Sequence, residues 1–153
     1  MTSRAADGRR LHVRIIGVDL PGQHFDDQRL PLQLAVQRGR EFEGLVPADA
    51  ERAVFEFDVA LAGDEPDDVR GPYVQGRKGD RFFYLSWVVP SGDGDWTIVR
   101  RAKIRPARIP DEIWSEAVAG DGVLEATLSL TDSRGGPLCA SVDDVCRWRV
   151  APS

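Results

Sequence analysis

Apolar and polar residues alternate along several stretches of the chain, which is the pattern of a strand with one buried side and one solvent-facing side. The clearest stretch is Arg52–Leu61, where Ala53 and every second residue after it are apolar and the residues between them are mostly polar. Weaker alternation occurs in residues 11–18 and 30–37. We therefore expect antiparallel sheets with one side facing water.

Short glycine-containing turns divide the middle of the chain into a predicted three-stranded meander. The turns at 77–80 and 91–95 separate the segments 72–76, 81–89 and 96–104. The central segment, 81–89, is apolar on both sides and is therefore expected to be covered on both faces. Further strands are predicted over 123–130 and in two short segments near 138–142 and 145–150.

One short helix is predicted near 111–119. Pro110 and the acids after it favour a helix start, Trp114 and Ala117 fall at helical spacing, and Gly120 favours a stop. Many short strands with a single helix indicate an all-β fold, either a β-sandwich or a partly open barrel of antiparallel strands. We expect one β-sandwich-like domain over residues 11–150, preceded by a disordered N-terminal segment over 1–10.

Composition narrows the functional classes. The chain has 153 residues, 42% of them hydrophobic, which suits one domain with a continuous core. A net charge of −5 argues against nucleic-acid binding by the whole surface. The sequence has no secretory signal and no apolar run of membrane-span length, so we expect a cytoplasmic protein that does not bind membranes. In that compartment, Cys139 and Cys146 are expected to be free thiols.

A dense group of cations interrupts this acidic background. Between Arg70 and Arg108 there are nine basic residues against three acidic ones, a local net charge of +6. A local field opposed to the global one suggests a face that meets an anion. The alternative is ordinary surface charge neutralised by internal carboxylates, with Glu56 and Asp58 as candidates.

The leading hypothesis is therefore a small binding or accessory module whose Arg-rich meander recognises an anionic small molecule or an acidic protein surface. Tyr73 is expected to pack beside the ligand. The candidate binding residues are Arg70, Tyr73, Arg77, Arg81, Arg100, Arg101 and Lys103. Exposed strand edges and four tryptophans permit a dimer, but nothing in the sequence specifies an oligomeric state.

Two alternatives from other classes stay open. Paired acids such as Asp26-Asp27 and Asp143-Asp144 could gather Ca²⁺ at one end of a sandwich, as in the membrane-surface domains called C2. An enzyme would need His24 to meet a nucleophile such as Cys139 in space. The sequence shows neither a metal-ligand spacing nor a phosphate-binding glycine motif, so we assign no catalytic residue, metal or cofactor.

Several ordered blocks of sequence carry a resemblance to a known family. These blocks are VDLPG (18–22), LVPADA (45–50), RGPYVQGRKGDRFFYLSW (70–87), RRAK (100–103) and LTDSRGGPLCASV (130–142). Together they resemble an uncharacterised actinobacterial family, the domain of unknown function family 5990, over residues 13–148. The resemblance implies family membership, but it implies no activity, cofactor or functional residue.

Overall fold

The computed structural model describes residues 9–18, 33–47, 50–120, 122–129, 139–143 and 146–152. The described residues form two β-sheets and one α-helix, and one of the sheets is curled into a half-barrel. The predicted all-β class with one short helix is confirmed. The predicted disordered segment lies largely outside the described residues.

Eleven strands and the helix are formed by the described residues. In chain order they are β1 Arg10–Val18, β2 Gln33–Arg38, β3 Glu41–Pro47, β4 Arg52–Leu61, β5 Val69–Arg70, β6 Gln75–Arg77, β7 Asp80–Pro90, β8 Trp96–Ile104, α1 Asp111–Ala119, β9 Val123–Ser129, β10 Cys139–Ser141 and β11 Cys146–Ala151. The five-stranded sheet has the order β11-β9-β1-β4-β5. The six-stranded sheet has the order β10-β8-β7-β2-β3, with β6 paired to β7.

The hydrophobic core lies between the two sheets. Phe55 and Phe57 of β4 contribute from the five-stranded sheet, and Leu85 and Trp87 of β7 contribute from the six-stranded sheet. The alternation predicted for Arg52–Leu61 is confirmed, because every second residue from Ala53 to Leu61 is buried. Trp114 of α1 extends the same core, and its indole Nε1 donates a hydrogen bond to the carbonyl oxygen of Asp64 at 2.6 Å. The side of each sheet that faces away from this core is called its outer face below.

The predicted meander is also confirmed. β6, β7 and β8 pair antiparallel in sequence order, and β7 lies in the interior of its sheet. The pairing of β7 with β8 shifts by one residue between Trp87 and Val88, which leaves Val99 as an extra residue in β8. This bulge sets which side chains of β8 share a face with those of β7.

Two parts of the topology were not predicted. β1 pairs with β9, and β8 pairs with β10, in parallel. The strand β3 was missed because its polar composition hides the alternation. Gly44 of β3 has φ of +70°, and a Cβ at this position would lie 2.9 Å from the ring of Phe55, so the strand depends on a glycine to approach the core.

In the described part of the chain, no helix is both long enough and apolar enough to cross a membrane.

Candidate anion-binding site

The seven residues predicted to bind an anion do not form one cluster. Arg100 lies directly opposite Trp87, on the core side of β8, and is only 7% exposed. Burial lowers the pKa of Arg100 below its ordinary value. Arg101 and Lys103 are partly exposed and lie on the two rungs opposite Ser86 and Tyr84. Arg100 and Arg101, which are adjacent in sequence, therefore lie on opposite faces of the sheet.

Three other predicted ligand residues have structural partners. Arg70 donates hydrogen bonds to the backbone carbonyls of Asp67 and Val69, both at 3.0 Å. The guanidinium of Arg81 lies 3.7 Å from the carboxylate of Asp67. Tyr73 stacks on Phe57 in the core, with ring centroids 4.5 Å apart.

The hydroxyl of Tyr73 also has a partner. It donates a hydrogen bond to Glu43, and this bond raises the pKa of Tyr73. Arg77 of β6 is exposed, and it makes no ion pair with any described residue. Arg70, Tyr73 and Arg81 therefore each have an internal partner.

The carboxylates that neutralise the cationic segment differ from those expected. Glu56 and Asp58 lie on the five-stranded sheet and interact with His12 and Arg14 instead. The carboxylate partners of the cations between Arg70 and Arg108 are Asp67, Asp80 and Asp143. Asp80 is shared, because it lies 3.9 Å from Lys103 and 3.6 Å from Arg105. Charge in the meander is thus balanced locally, close to its turns.

Arg101 and Lys103 lie over aromatic rings on the outer face of β7 and β8. The guanidinium carbon of Arg101 is 4.4 Å from the ring centroid of Tyr84, and Lys103 Nζ is 4.2 Å from that of Phe82. The two rings contact each other edge to face, with centroids 4.7 Å apart. Such cation–π contacts hold a cation against a ring without neutralising its charge. These four side chains form the cationic part of the candidate site.

Three buried polar atoms on this outer face lack a hydrogen-bond partner among the described residues. They are Gln37 Oε1, Ser86 Oγ and Arg101 Nε. Ser86 is paired with Ala35 on one side and with Arg101 on the other, and both Ser86 and Ala35 are 0% exposed. Gln37 lies two residues beyond Ala35 and so shares its face. The unpartnered atoms therefore lie on neighbouring rungs of one face.

Two further atoms without a hydrogen bond, one on Arg81 and one on Arg105, have an electrostatic explanation. Arg81 Nε and Arg105 Nε also lack a hydrogen bond within the described residues, but carboxylates lie 3.7 and 3.6 Å from them. Arg101 has no ion pair with a described carboxylate. Leaving a buried donor or acceptor unpaired costs about 1–3 kcal/mol, so each such group in a native protein calls for a reason. A ligand group that pairs with them provides one.

The geometry around Arg101 suits an anion. The guanidinium of Arg101, 4.4 Å from the centroid of the Tyr84 ring, presents its N–H donors along a planar edge. Carboxylate and phosphate oxygens match this edge with two parallel hydrogen bonds. The hydroxyl of Ser86, on the neighbouring rung, can donate a third. We name this set, Arg101, Ser86 and Tyr84 with Lys103 and Phe82, the Arg101 site.

Sequence reasoning identified Arg101 and Lys103 but missed Ser86 and Gln37. The signal for Ser86 was present, because it is the single non-aromatic polar residue within residues 82–89. A polar residue inside a strand covered on both faces must find a partner or leave a polar atom unpaired. Gln37 gave no comparable signal, because its place at the end of an alternating strand resembles that of a solvated residue.

The outer face of the five-stranded sheet carries a different arrangement, a ladder of alternating charges. It runs across four strands through Arg149, Glu125, Arg14, Glu56, His12 and Asp58. The successive N···O distances are 2.7, 2.8, 3.1, 3.1 and 2.7 Å. Every member of this charge ladder has an oppositely charged neighbour.

The charge ladder shifts the pKa of its members in a consistent direction. The hydrogen bond to Asp58 raises the pKa of His12, and the hydrogen bond from His12 lowers the pKa of Glu56. Glu125 is only 4% exposed. Its burial acts to raise its pKa, yet hydrogen bonds from Arg149 and Arg14 lower the pKa overall. The ladder thus stabilises the charged forms of its own groups.

The described residues include only some of the side chains on which the calcium and enzyme hypotheses depend. Asp26, Asp27, Asp144 and His24 lie outside them. Asp143 accepts a hydrogen bond from the backbone N–H of Arg105 at 3.0 Å. Within the described ranges, no group of three or more His, Cys, Asp or Glu side chains could hold a metal ion. Burial raises the pKa of the Cys146 thiol to about 12, which makes it a poor nucleophile.

Comparison with known proteins places the chain in one family. The sequence pattern of the family of unknown function DUF5990 matches residues 11–151. The chain belongs to this family. No curated protein and no solved structure is significantly similar to it. Membership of DUF5990 confirms the resemblance seen in the sequence, whereas an actinobacterial source stays a prediction.

Proposed function

We propose that this DUF5990 chain is a binding module that recognises an anionic group, a carboxylate or a phosphate, at the Arg101 site. The observation that carries the proposal is the adjacency of Arg101 and Ser86. They are opposite one another on β7 and β8, and each has a buried polar atom with no partner among the described residues. The anion supplies acceptors for both groups.

The electrostatics of the site support an anion over a neutral ligand. Arg101 has no described carboxylate as an ion-pair partner, and the nearest cation on its face, Lys103, shares Asp80 with Arg105 at a distance of 3.9 Å. The two cations therefore retain part of their field. Because Arg101 and Lys103 are partly buried, this field is screened less than it would be on open surface.

The burial of Ser86 and Phe82 favours a small molecule over an acidic protein surface. Ser86 is 0% exposed and Phe82 is 7% exposed, so these two side chains offer no open face to a protein surface. A flat protein surface would meet mainly the exposed rim residues of the meander, such as Arg77. A cytoplasmic location stays a prediction from the sequence.

The proposal is tested by calorimetric titration of the purified protein with inorganic phosphate and with acetate, at low and at moderate salt. Arg101→Gln removes the guanidinium, and Arg77→Gln is the matched control on exposed surface. We expect the wild type and Arg77→Gln to bind one of the anions in a salt-sensitive manner and Arg101→Gln to lose at least about tenfold in affinity, which corresponds to about 1.4 kcal/mol.

A conservative variant separates charge from geometry. Arg101→Lys keeps the positive charge but removes the planar edge of donors, so we expect it to bind more weakly than the wild type and more tightly than Arg101→Gln. If neither anion binds the wild type, or if Arg77→Gln and Arg101→Gln lose affinity equally, the Arg101 site is not the binding site. Thermal melts of each variant, with and without anion, check that the folded state is the species that binds.

A further inference from the structure

Two cations of β8 and one from the residue that follows it share the outer face of the six-stranded sheet. Arg101 and Lys103 lie two residues apart on this face, opposite Ser86 and Tyr84. Arg105 follows the last residue of β8, and its backbone stays extended, with φ of −106° and ψ of 120°. Because alternate residues of an extended chain point to the same side, Arg105 continues the series. We name Arg101, Lys103 and Arg105 the cation row.

The side chains of the cation row contact successive outward-facing residues of β7. These are two aromatic rings and a carboxylate: Tyr84, Phe82 and Asp80. Arg101 lies over the first ring and Lys103 over the second, and Arg105 Nε lies 3.6 Å from the carboxylate. Since the three partners are alternate residues of one strand, successive cations are spaced by about 7 Å along it. The cation row is therefore one continuous surface.

Exposure of the side chains rises along the cation row toward Asp80. Ser86, opposite Arg101, is 0% exposed, whereas the side chains of Lys103 and Arg105 are 20% and 32% exposed. The side chain of Asp80 is 55% exposed. A small ligand can therefore approach the cation row from the side of the β6–β7 turn, without entering the buried part of β7.

The carboxylates beside the cation row do not neutralise it. Asp80 lies 3.9 Å from Lys103 and 3.6 Å from Arg105, beyond the usual hydrogen-bond distance of about 2.7–3.2 Å. Asp143 lies 3.9 Å from Arg105 and 4.0 Å from Arg108, and the charge of Arg108 compensates that of Asp143. Three cations thus face one carboxylate, Asp80, and two positive charges are left uncompensated among the described residues.

We propose that the ligand is a small dicarboxylate, with one carboxylate at the Arg101 site and the other at Lys103 and Arg105. The inference rests on the proposed function of the Arg101 site. The two negative charges of a dicarboxylate equal the charge left on the cation row. A bisphosphate would bring about three to four negative charges and leave an excess beside Asp80. The two positions are two to four residues apart along the strand, which is about 7–13 Å.

Linear dicarboxylates of different length are the probes. Suberate is long enough to reach Arg101 and Arg105 together, whereas malonate is too short. Monomethyl suberate keeps the length of suberate and removes one charge. We expect calorimetry to show that suberate binds about fivefold more tightly than monomethyl suberate, because a partly exposed ion pair contributes modestly. Malonate should bind more weakly than suberate despite its equal charge.

Two arginines beside one aspartate provide the matched variants. Arg105→Gln should weaken suberate about fivefold more than it weakens monomethyl suberate, because only suberate has a second carboxylate to lose an interaction. Arg108→Gln is the control, because Arg108 also lies beside Asp143 but is 65% exposed and outside the cation row. Arg105→Lys keeps the charge and should retain most of the preference for suberate. Thermal melts of each variant check that it is folded.

The outcomes separate the two proposals. If suberate and monomethyl suberate bind equally while Arg101→Gln weakens both, the dicarboxylate inference is wrong and the proposed function stands. If butanediol bisphosphate, which is of similar length, binds more tightly than suberate, the inferred ligand class is wrong. If Arg101→Gln changes the binding of no anion, both proposals are wrong. A preference for suberate that disappears in Arg105→Gln and persists in Arg108→Gln supports the inference.

Discussion

The outer faces of the two sheets both carry arginine, but they hold it in different ways. On the five-stranded sheet, Arg14 lies between Glu56 and Glu125 at 3.1 and 2.8 Å. On the six-stranded sheet, Arg101 lies over Tyr84 at 4.4 Å and has no described carboxylate as a partner. On the first face, the charged groups of the ladder pair with one another. On the second face, the guanidinium of Arg101 keeps an N–H donor without a partner among the described residues.

This difference shows what separates a structural charge from a candidate binding residue. Local density of basic residues is highest in and beside the meander, yet several of these cations have internal carboxylate partners, as Arg81 has in Asp67. What distinguishes Arg101 is the polar atom left unpaired beside another one, Ser86 Oγ. A buried polar atom without a hydrogen-bond partner is a more specific indication of a binding site than a high density of basic residues. It destabilises the folded protein unless a ligand pairs with it.

The largest expected effect is on the charge ladder. Arg14→Met leaves the carboxylate of Glu125, which is 4% exposed, with Arg149 as its remaining ladder partner. Breaking a buried ion pair typically costs 3–5 kcal/mol, and the remaining arginine reduces this, so we expect the free energy of unfolding in urea to fall by about 2–3 kcal/mol.

Arg77→Met is the control for this variant, because Arg77 is exposed and has no ion pair with a described residue. Its effect should stay within about 0.5 kcal/mol. A loss below about 1 kcal/mol in Arg14→Met would show that Arg14 does not hold the buried carboxylate. Anion binding at the Arg101 site should be unchanged in both variants.

The next effect concerns Tyr73, which the sequence placed in the anion site and the structure places against Glu43. Tyr73→Phe keeps the ring stacked on Phe57 and removes the hydroxyl. A hydrogen bond to a charged group contributes about 1.5–3 kcal/mol, so we expect a loss of about 1.5 kcal/mol in urea unfolding and no change in anion affinity. Weaker anion binding in Tyr73→Phe would return this residue to the site.

Much of the fold could be predicted because each strand carries its own pattern. The alternation in Arg52–Leu61 and the capped helix Asp111–Ala119 are local signals, and both elements have the predicted bounds. The parallel pairing of β1 with β9 is a different matter. It joins residues more than a hundred positions apart, and no local periodicity encodes which strand lies beside which.

The site was predicted less completely than the fold, for a related reason. Alternation places Arg100 and Arg101 on opposite faces, but which of the two faces the core depends on the bulge at Val99 and on the pairing with β7. Which of the two arginines faces away from the core is therefore decided by the tertiary structure. The same holds for Ser86, whose lack of a partner within the described chain depends on what surrounds it.

Ser86→Ala is expected to have a smaller effect. It should raise the stability of the fold and weaken anion binding. The substitution removes a buried hydroxyl that has no partner among the described residues, and it should raise the free energy of unfolding by about 1 kcal/mol. The same variant should bind the anion more weakly. Urea unfolding and calorimetry on one sample measure both. A loss of stability would show that the hydroxyl already has a structural partner.

The smallest expected effect is the pH dependence of the charge ladder. The pKa of His12 is raised in the folded state by Asp58 and Glu56. Its protonation therefore stabilises the fold fully below the unfolded pKa of about 6.5, and this contribution is lost as the pH rises through the higher folded value. The side chain of His12 is 41% exposed, so the contribution should not exceed about 1 kcal/mol.

Urea unfolding of the wild type and of His12→Gln at about pH 6 and about pH 8.5 isolates this term, because histidine changes charge between these values. We expect the wild type to be more stable than His12→Gln at the lower pH and the difference to shrink at the higher pH. Arg101→Gln should follow the pH dependence of the wild type, since the Arg101 site contains no histidine. A constant difference between wild type and His12→Gln would mean that His12 acts by packing and not by charge, and the electrostatic contrast between the two faces would then rest on the arginines alone.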